Sequence, residues 1–178
     1  MIIVFEGADK VGKTTLIKEL HKATGYKHII IDRFTASAIA YGKYRKRKLD
    51  YDSYLDIEQY LSDKVIMIYC YTDIHTQNRR IKSNNEKDIG FTDIQPLNYG
   101  YRSHLLLHNN LETLKIDTAF TVPTCIKKIK NAINKFENRT IFDKVERIKD
   151  MINKNGLKSL KTSFSLTSIF VIQWIQYL

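Results

Sequence analysis

The sequence predicts an α/β fold: a small parallel sheet flanked by helices on both faces, three layers in all. Short apolar, largely β-branched runs recur at Ile2–Phe5, His28–Ile31, Val65–Tyr71 and Leu114–Ile116. They are continuous rather than alternating, as strands covered on both faces are. Helical patterns separate them, so the strands connect through right-handed crossovers that leave ligands beyond the strands' carboxyl ends. At that end of the first run sits a third signal, the glycine loop Gly7-Ala8-Asp9-Lys10-Val11-Gly12-Lys13-Thr14.

Ile2–Phe5 reads as the first strand, and the loop after it matches G-x-x-x-x-G-K-[ST] in full. The helix Thr14–Ala23 comes next, with Leu16, Ile17 and Leu20 on one face. Strand, glycine loop and helix together make a phosphate-binding loop. Gly7 and Gly12 let the backbone close around an anion with its N–H groups pointing inward, and the helix start adds its positive dipole end. Lys13 can reach the outer phosphates, and the Thr14 hydroxyl can ligate Mg2+ held between them. Gly7 through Thr15 is therefore the expected binding segment for a nucleoside triphosphate, ATP.

Beyond a turn at Thr24–Lys27, His28–Ile31 forms a strand that leads into Asp32-Arg33-Phe34. Helices are expected within Ala36–Lys46 and at Tyr51–Leu61, Ile74–Lys82 and Leu97–His108. Ser83 to Gln95 holds Asn84, Asn85 and Gly90 with few apolar anchors, a composition suited to a mobile loop closing over ATP. Pro123 starts a helix whose Ile126, Ile129, Ile133 and Phe136 share a face. A second amphipathic stretch continues through Ile141, Val145, Ile148 and Ile152, ended by Gly156. Phe164–Leu178 is uncharged and mostly apolar, yet its 15 residues fall short of the roughly 20 that span a membrane. It reads either as a final helix or strand packed on the core or as a membrane-surface or partner-binding tail.

A formal charge of +10 and a pI near 9.5 favour anionic ligands. No basic stripe interleaves with stacking aromatics, so the charge points to nucleotides rather than nucleic acid. Cys70 and Cys125 lie in apolar stretches without a C-x-x-C and read as reduced core thiols of a cytoplasmic protein. The first strand begins at Ile2, leaving no room for a secretory signal. His75, His104 and His108 lack the spacing of metal ligands and read as ordinary surface or core residues.

An acid at the end of a strand adjoining the first would stand beside the triphosphate, where Asp32 can serve the magnesium shell or orient the attacking oxygen. Arg33, directly after it, can clamp a second phosphate group bidentately. In these residues the chain resembles the thymidylate kinase family of nucleoside monophosphate kinases, which have the P-loop kinase fold. Phe5-Glu6-Gly7-Ala8-Asp9-Lys10-Val11-Gly12-Lys13-Thr14-Thr15 is similar to that family's F-E-G-x-D-x-x-G-K-T-T loop. Asp32-Arg33-Phe34-Thr35-Ala36-Ser37-Ala38-Ile39-Ala40-Tyr41 is similar to its D-R-Y-x-x-S-x-x-A-Y. The likeness spans residues 1–136 more loosely and suggests a kinase domain over 1–137 with a helical, apolar extension over 138–178.

The resemblance implies that Asp9 bonds the acceptor's sugar, that Arg33 grips its phosphate, and that Phe34, Ser37 and Tyr41 line its pocket. It further implies that Lys10 works near the donor phosphates, with Arg79 and Arg80 as the other cations for the transferring group, and that the protein is a homodimer. One departure is large. The family carries another strand, two helices and a second acceptor arginine between the first helix and the D-R segment, where this chain has only Thr24–Lys27. The acceptor pocket must then be built differently, with Tyr41, Tyr44, Arg45, Tyr51 and Tyr54 as candidates. Three alternatives to a thymidylate-type kinase stand beside it: a deoxynucleoside kinase, a nucleotide-binding module without turnover, and a polynucleotide end-processing enzyme.

Overall fold

Four strands, β1 (Ile2–Glu6), β2 (Ile29–Asp32), β3 (Val65–Tyr71) and β4 (Glu112–Asp117), form one parallel sheet in the order β2-β1-β3-β4. This is a computed structural model that describes residues 1–83, 91–107 and 110–155. The described helices are α1 (Lys13–Ala23), α2 (Thr35–Tyr44), α3 (Tyr51–Leu61), α4 (Ile74–Ser83), α5 (Phe91–Leu107) and α6 (Val122–Asn155). The chain divides into two units, Met1–Phe136 and Glu137–Leu178. The sheet and helices α1 to α5 belong to the first.

The predicted α/β class holds, and β1 and β3 behave as predicted. Ile3, Val4, Phe5 and Val65 through Cys70 are buried on both faces. The second strand does not: Ile29 is 64% exposed. It lies at the sheet's edge, and the short Thr24–Lys27 connection supplies no further element to cover it. Ile126, Ile129, Ile133 and Phe136 all face the core as expected. The two helices expected after Pro123 are instead the single helix α6. Glu137 to Thr140 contains neither Gly nor Pro, so nothing in those polar residues ends the helix, and Ile141 stays 61% exposed. Helix α5 likewise starts before Pro96, which sits in its second turn.

Two contacts place α2, the helix after the Asp32-Arg33 segment. Gly100 of α5 lies so close to Ala40 of α2 that a Cβ there would stand 3.2 Å from the Ala40 Cα. Second, Glu58 of α3 is fully buried, meets His104 of α5 at 2.9 Å, and accepts from the Thr35 hydroxyl at the start of α2 and from the Asn110 N–H. Burial pushes the Glu58 pKa up, but these bonds outweigh it and hold the carboxyl below its ordinary range.

Cys70 and Cys125 are both buried and free, and burial pushes the Cys70 thiol up to about 12. Among the described residues no helix is long and apolar enough to cross a membrane. Of the candidate mobile loop Ser83 to Gln95, residues 84–90 lie outside the described residues, whereas Ser83 ends α4 and Phe91 through Gln95 open helix α5 instead; the apolar tail 157–178 and His108 also lie outside.

Candidate active site

The glycine loop lies at the carboxyl end of β1, anchored underneath by Ala8 and Val11, both 1% exposed. Gly7 has φ 133°, and a Cβ on it would come 2.2 Å from the Cys70 carbonyl oxygen. Only glycine fits where loop and β3 meet. Gly12 has φ 95°, at the N-cap of α1, and Lys10 adopts φ 62°. Lys13 is buried, and its Nζ donates to the carbonyls of Gly7 at 2.8 Å and Ala8 at 2.9 Å. Burial lowers its pKa, and the nearby Arg33 charge adds to the effect. Thr14 and Thr15 remain exposed on the loop's open side.

On the neighbouring strand Asp32 pairs in register with Phe5, so the acid stands beside the glycine loop as predicted. Arg33 leaves the strand with φ 74°, a left-handed conformation costly for an arginine, held in part by its N–H donating 2.9 Å to the Phe5 carbonyl. That turn aims the side chain across the loop. Its Nη2 pairs with Asp9, its Nη1 donates 3.2 Å to the Tyr101 hydroxyl, and its Cζ lies 4.8 Å from the centre of the Tyr41 ring. Asp9 also accepts from the Tyr41 hydroxyl. Burial, reinforced by that bond to Asp9, raises the Tyr41 pKa, so the phenol remains a donor.

Glu6 ends β1 with no exposed surface. Its carboxylate accepts from the Phe34 N–H at 2.7 Å, the Ser37 N–H at 3.1 Å and the Ser37 hydroxyl, which fastens the first turn of α2 to the sheet. Burial raises its pKa against these bonds.

Two cavities open here. The larger, about 640 Å3, is lined by Lys10, Gly12, Lys13, Thr14, Thr15 and Asp32, and also by Arg80, Thr118, Phe120 and Cys125. The smaller, about 480 Å3, is lined by Phe34, Ser37, Ala38, Tyr41 and Arg45. Asp9 and Arg33 line both and form the wall between them. Arg45 lies 5.7 Å from the Tyr41 ring centre. Of the alternative pocket residues named from the sequence, Tyr41 and Arg45 line this cavity, whereas Tyr44, Tyr51 and Tyr54 do not.

The two candidate lid-side arginines separate. Arg79 is exposed and away from the cavities. Arg80 lines the larger one but is turned to its wall, donating 2.9 Å to the Thr118 carbonyl, 3.1 Å to its hydroxyl and 3.4 Å to the Lys10 carbonyl. Thr118 bonds in turn to the Val11 carbonyl. Gln77 donates 2.6 Å to the Asp9 carbonyl and accepts 3.0 Å from Asn98. Glu6, Gln77, Tyr101 and Thr118 were given no role by sequence. Only Glu6 sits in a motif, and the signal for Tyr101 was its neighbour Gly100, an isolated glycine within a helical pattern.

No family model matches the chain, and no curated protein matches it. Solved structures do. The YorR protein from Bacillus subtilis, solved in complex with phosphorylated GDP, superposes with a TM-score of 0.66 at 21% identity, over 75% of this chain and 96% of that one. The fold is that of the P-loop kinases. Deoxyadenosine kinase from M. mycoides, solved with the products dCMP and a flexible dCDP, gives 0.59 at 20% identity over 76% of this chain and 99% of that one. The same enzyme with dATP bound gives 0.54 at 18% identity, over 75% and 100%. In all three superpositions the P-loop kinase fold accounts for about three quarters of the 178 residues.

Proposed function

We propose that the protein transfers the γ-phosphoryl group of ATP to a deoxynucleoside monophosphate, with thymidylate the first acceptor to try. One observation carries the reading. Two cavities of nucleotide size share the Asp9–Arg33 wall, one faced by the phosphate-binding loop and the other carrying Arg33 and Arg45 against the single carboxylate of Asp9. An excess of guanidinium suits an acceptor that is itself an anion.

In this reading Gly7, Ala8, Val11 and Gly12 shape the cradle, and Lys10, Lys13 and the loop N–H groups meet the donor phosphates. Lys13 exchanges its carbonyl partners for phosphate oxygens, which restores to its buried charge the counter-ion that burial denies it. Arg33 orients the acceptor phosphate and Asp9 its sugar, while Phe34, Ser37 and Tyr41 close the acceptor side. The residues fit Mg2+: the Thr14 hydroxyl and Asp32 carboxylate, both exposed, line one cavity, and one or two protein oxygens completed by phosphates and water is the usual donor set for that ion. Bound there, it would neutralise charge on the transferring phosphoryl. Arg80, engaged with Thr118 and Lys10, shapes the loop, which leaves Lys10, Lys13 and Arg33 as the cations for the transferring group.

A second reading, a deoxynucleoside kinase, draws support from the likeness to the M. mycoides enzyme. There Asp32 would serve as base toward a sugar hydroxyl rather than toward the metal. Purified protein with Mg-ATP and a panel of deoxynucleosides and their monophosphates, scored for ADP and labelled product, separates them. Transfer to monophosphates alone supports the proposal, transfer to nucleosides alone replaces it with the second reading, and ATP binding without acceptor-dependent turnover leaves a binding module.

A further inference from the structure

Arg33 is held by more than Asp9. Its Nη1 donates to the Tyr101 hydroxyl at 3.2 Å, that oxygen lies 2.7 Å from Ser37 Oγ, and Ser37 Oγ donates to Glu6. With Glu6 ionised, one arrangement of protons satisfies all three contacts. A guanidinium can only donate, so the Tyr101 oxygen accepts from it. The Ser37 proton goes to Glu6, so the tyrosine proton points to Ser37. The result is a directed chain, Arg33 to Tyr101 to Ser37 to Glu6, that ends on a carboxylate with no exposure. Tyr101 is itself fully buried and lines neither cavity. It reaches the site because Gly100 lets α5 settle against Ala40 of α2.

We infer that Tyr101 is a positioning residue for the acceptor site: through Tyr101 and Ser37, buried Glu6 acts as a second anionic anchor for Arg33 and keeps the guanidinium in place when Asp9 turns to the acceptor. This rests on the proposed use of Arg33 to grip the acceptor phosphate. An arginine held only by Asp9 would follow that carboxylate away from the phosphate. A second hold on the rigid packing of α2 and α5 removes rotamer freedom before the acceptor arrives.

Tyr101→Phe keeps the ring and removes one oxygen. Calorimetric titration with Mg-ATP and with dTMP and dGMP, alongside KM for each ligand, reads the effect. The expected result is a monophosphate Kd and KM raised about tenfold, the scale of one hydrogen bond to a charged group, with ATP values changed less than about twofold. In an Arg33→Ala background Tyr101→Phe adds no further loss, because the residue acts only through Arg33. If Tyr101→Phe lowers the melting temperature sharply, Glu6→Gln removes the charge at the chain's end from a residue that lines neither cavity, and should show the same split. Equal weakening of both ligands, no weakening, or a full additional loss without Arg33 overturns the inference. A wild-type protein that binds no monophosphate removes the reading of the acceptor site, and this inference with it. Monophosphate binding that Tyr101→Phe leaves unchanged removes this inference alone.

Discussion

Glu6 and Ser37 meet through both halves of the serine, its N–H 3.1 Å from Oε1 and its hydroxyl on Oε2. The carboxylate thereby fixes where α2 begins, at Thr35, with only the N-cap residue Phe34 between that helix and Arg33. Glu6→Ala strands buried donors and should lose about 3 kcal/mol of stability, read by chemical denaturation. Glu6→Gln keeps an acceptor for both N–H groups and should lose far less. Burial raises the Glu6 pKa, so the folded protein holds its proton more tightly than the unfolded chain. Wild-type stability relative to Glu6→Gln should therefore fall as pH rises from the ordinary carboxylate value through the raised one, as melting temperatures across that window would show.

Lys13 gives the opposite sign. Its lowered pKa means that the charged amine is a burden on the empty fold, present below the folded pKa and relieved only as pH rises through it. Lys13→Met should thus melt no earlier than wild type without nucleotide at neutral pH. It should lose turnover and the rise in melting temperature that Mg-ATP gives the wild type. A fully active Lys13→Met would refute the assigned loop.

Asp32 and Arg33 are neighbours to which the proposed function gives separable tasks. Asp32→Asn should raise the Mg2+ concentration needed for half-maximal rate and leave acceptor KM nearly unchanged. Arg33→Ala should raise acceptor KM by about ten- to a hundredfold, the scale of charge-assisted hydrogen bonds, with a much smaller change for ATP. An unchanged acceptor KM would contradict the role given to Arg33.

Gly7→Ala places a Cβ 2.2 Å from the Cys70 carbonyl, which belongs to the central strand and cannot yield. Nucleotide binding should be lost even where the protein still folds, as the loop is pushed from β3. Calorimetry with ATP, beside a circular dichroism melt, distinguishes loss of binding from loss of fold.

Glu58 and His104 offer a test of the core. The depressed Glu58 pKa contributes stability above the ordinary carboxylate value, and that contribution disappears as pH falls through the folded one. Glu58→Gln should be less stable than wild type by about 2 kcal/mol at neutral pH, and the gap should close in acid.

The sheet was legible because β1 and β3 are buried on both faces, and burial writes itself into the sequence as unbroken apolar runs. The Asp32–loop juxtaposition was legible for a related reason: in a parallel sheet the ends of adjoining strands share one edge. Edge strand β2 looked identical to a central strand in sequence, since Ile29, Ile30 and Ile31 give no sign of which neighbour is missing. Helix α6 was divided in two because the polar residues between Phe136 and Ile141 interrupt the apolar face without interrupting the backbone. Gln77 and Thr118 carry no sequence signal as site residues, and Tyr101 carries only that of its neighbour Gly100. Each arrives from an element distant in sequence, and only three-dimensional packing, such as Gly100 against Ala40, brings it to the loop.

The Asp9–Arg33 partition has an energetic corollary. In the proposed function an anion entering either chamber would draw on the same guanidinium, and a sugar hydroxyl entering the second on the same carboxylate. Two guests that share one party wall do not bind independently: whatever factor the first imposes on the second's affinity, the second returns to the first.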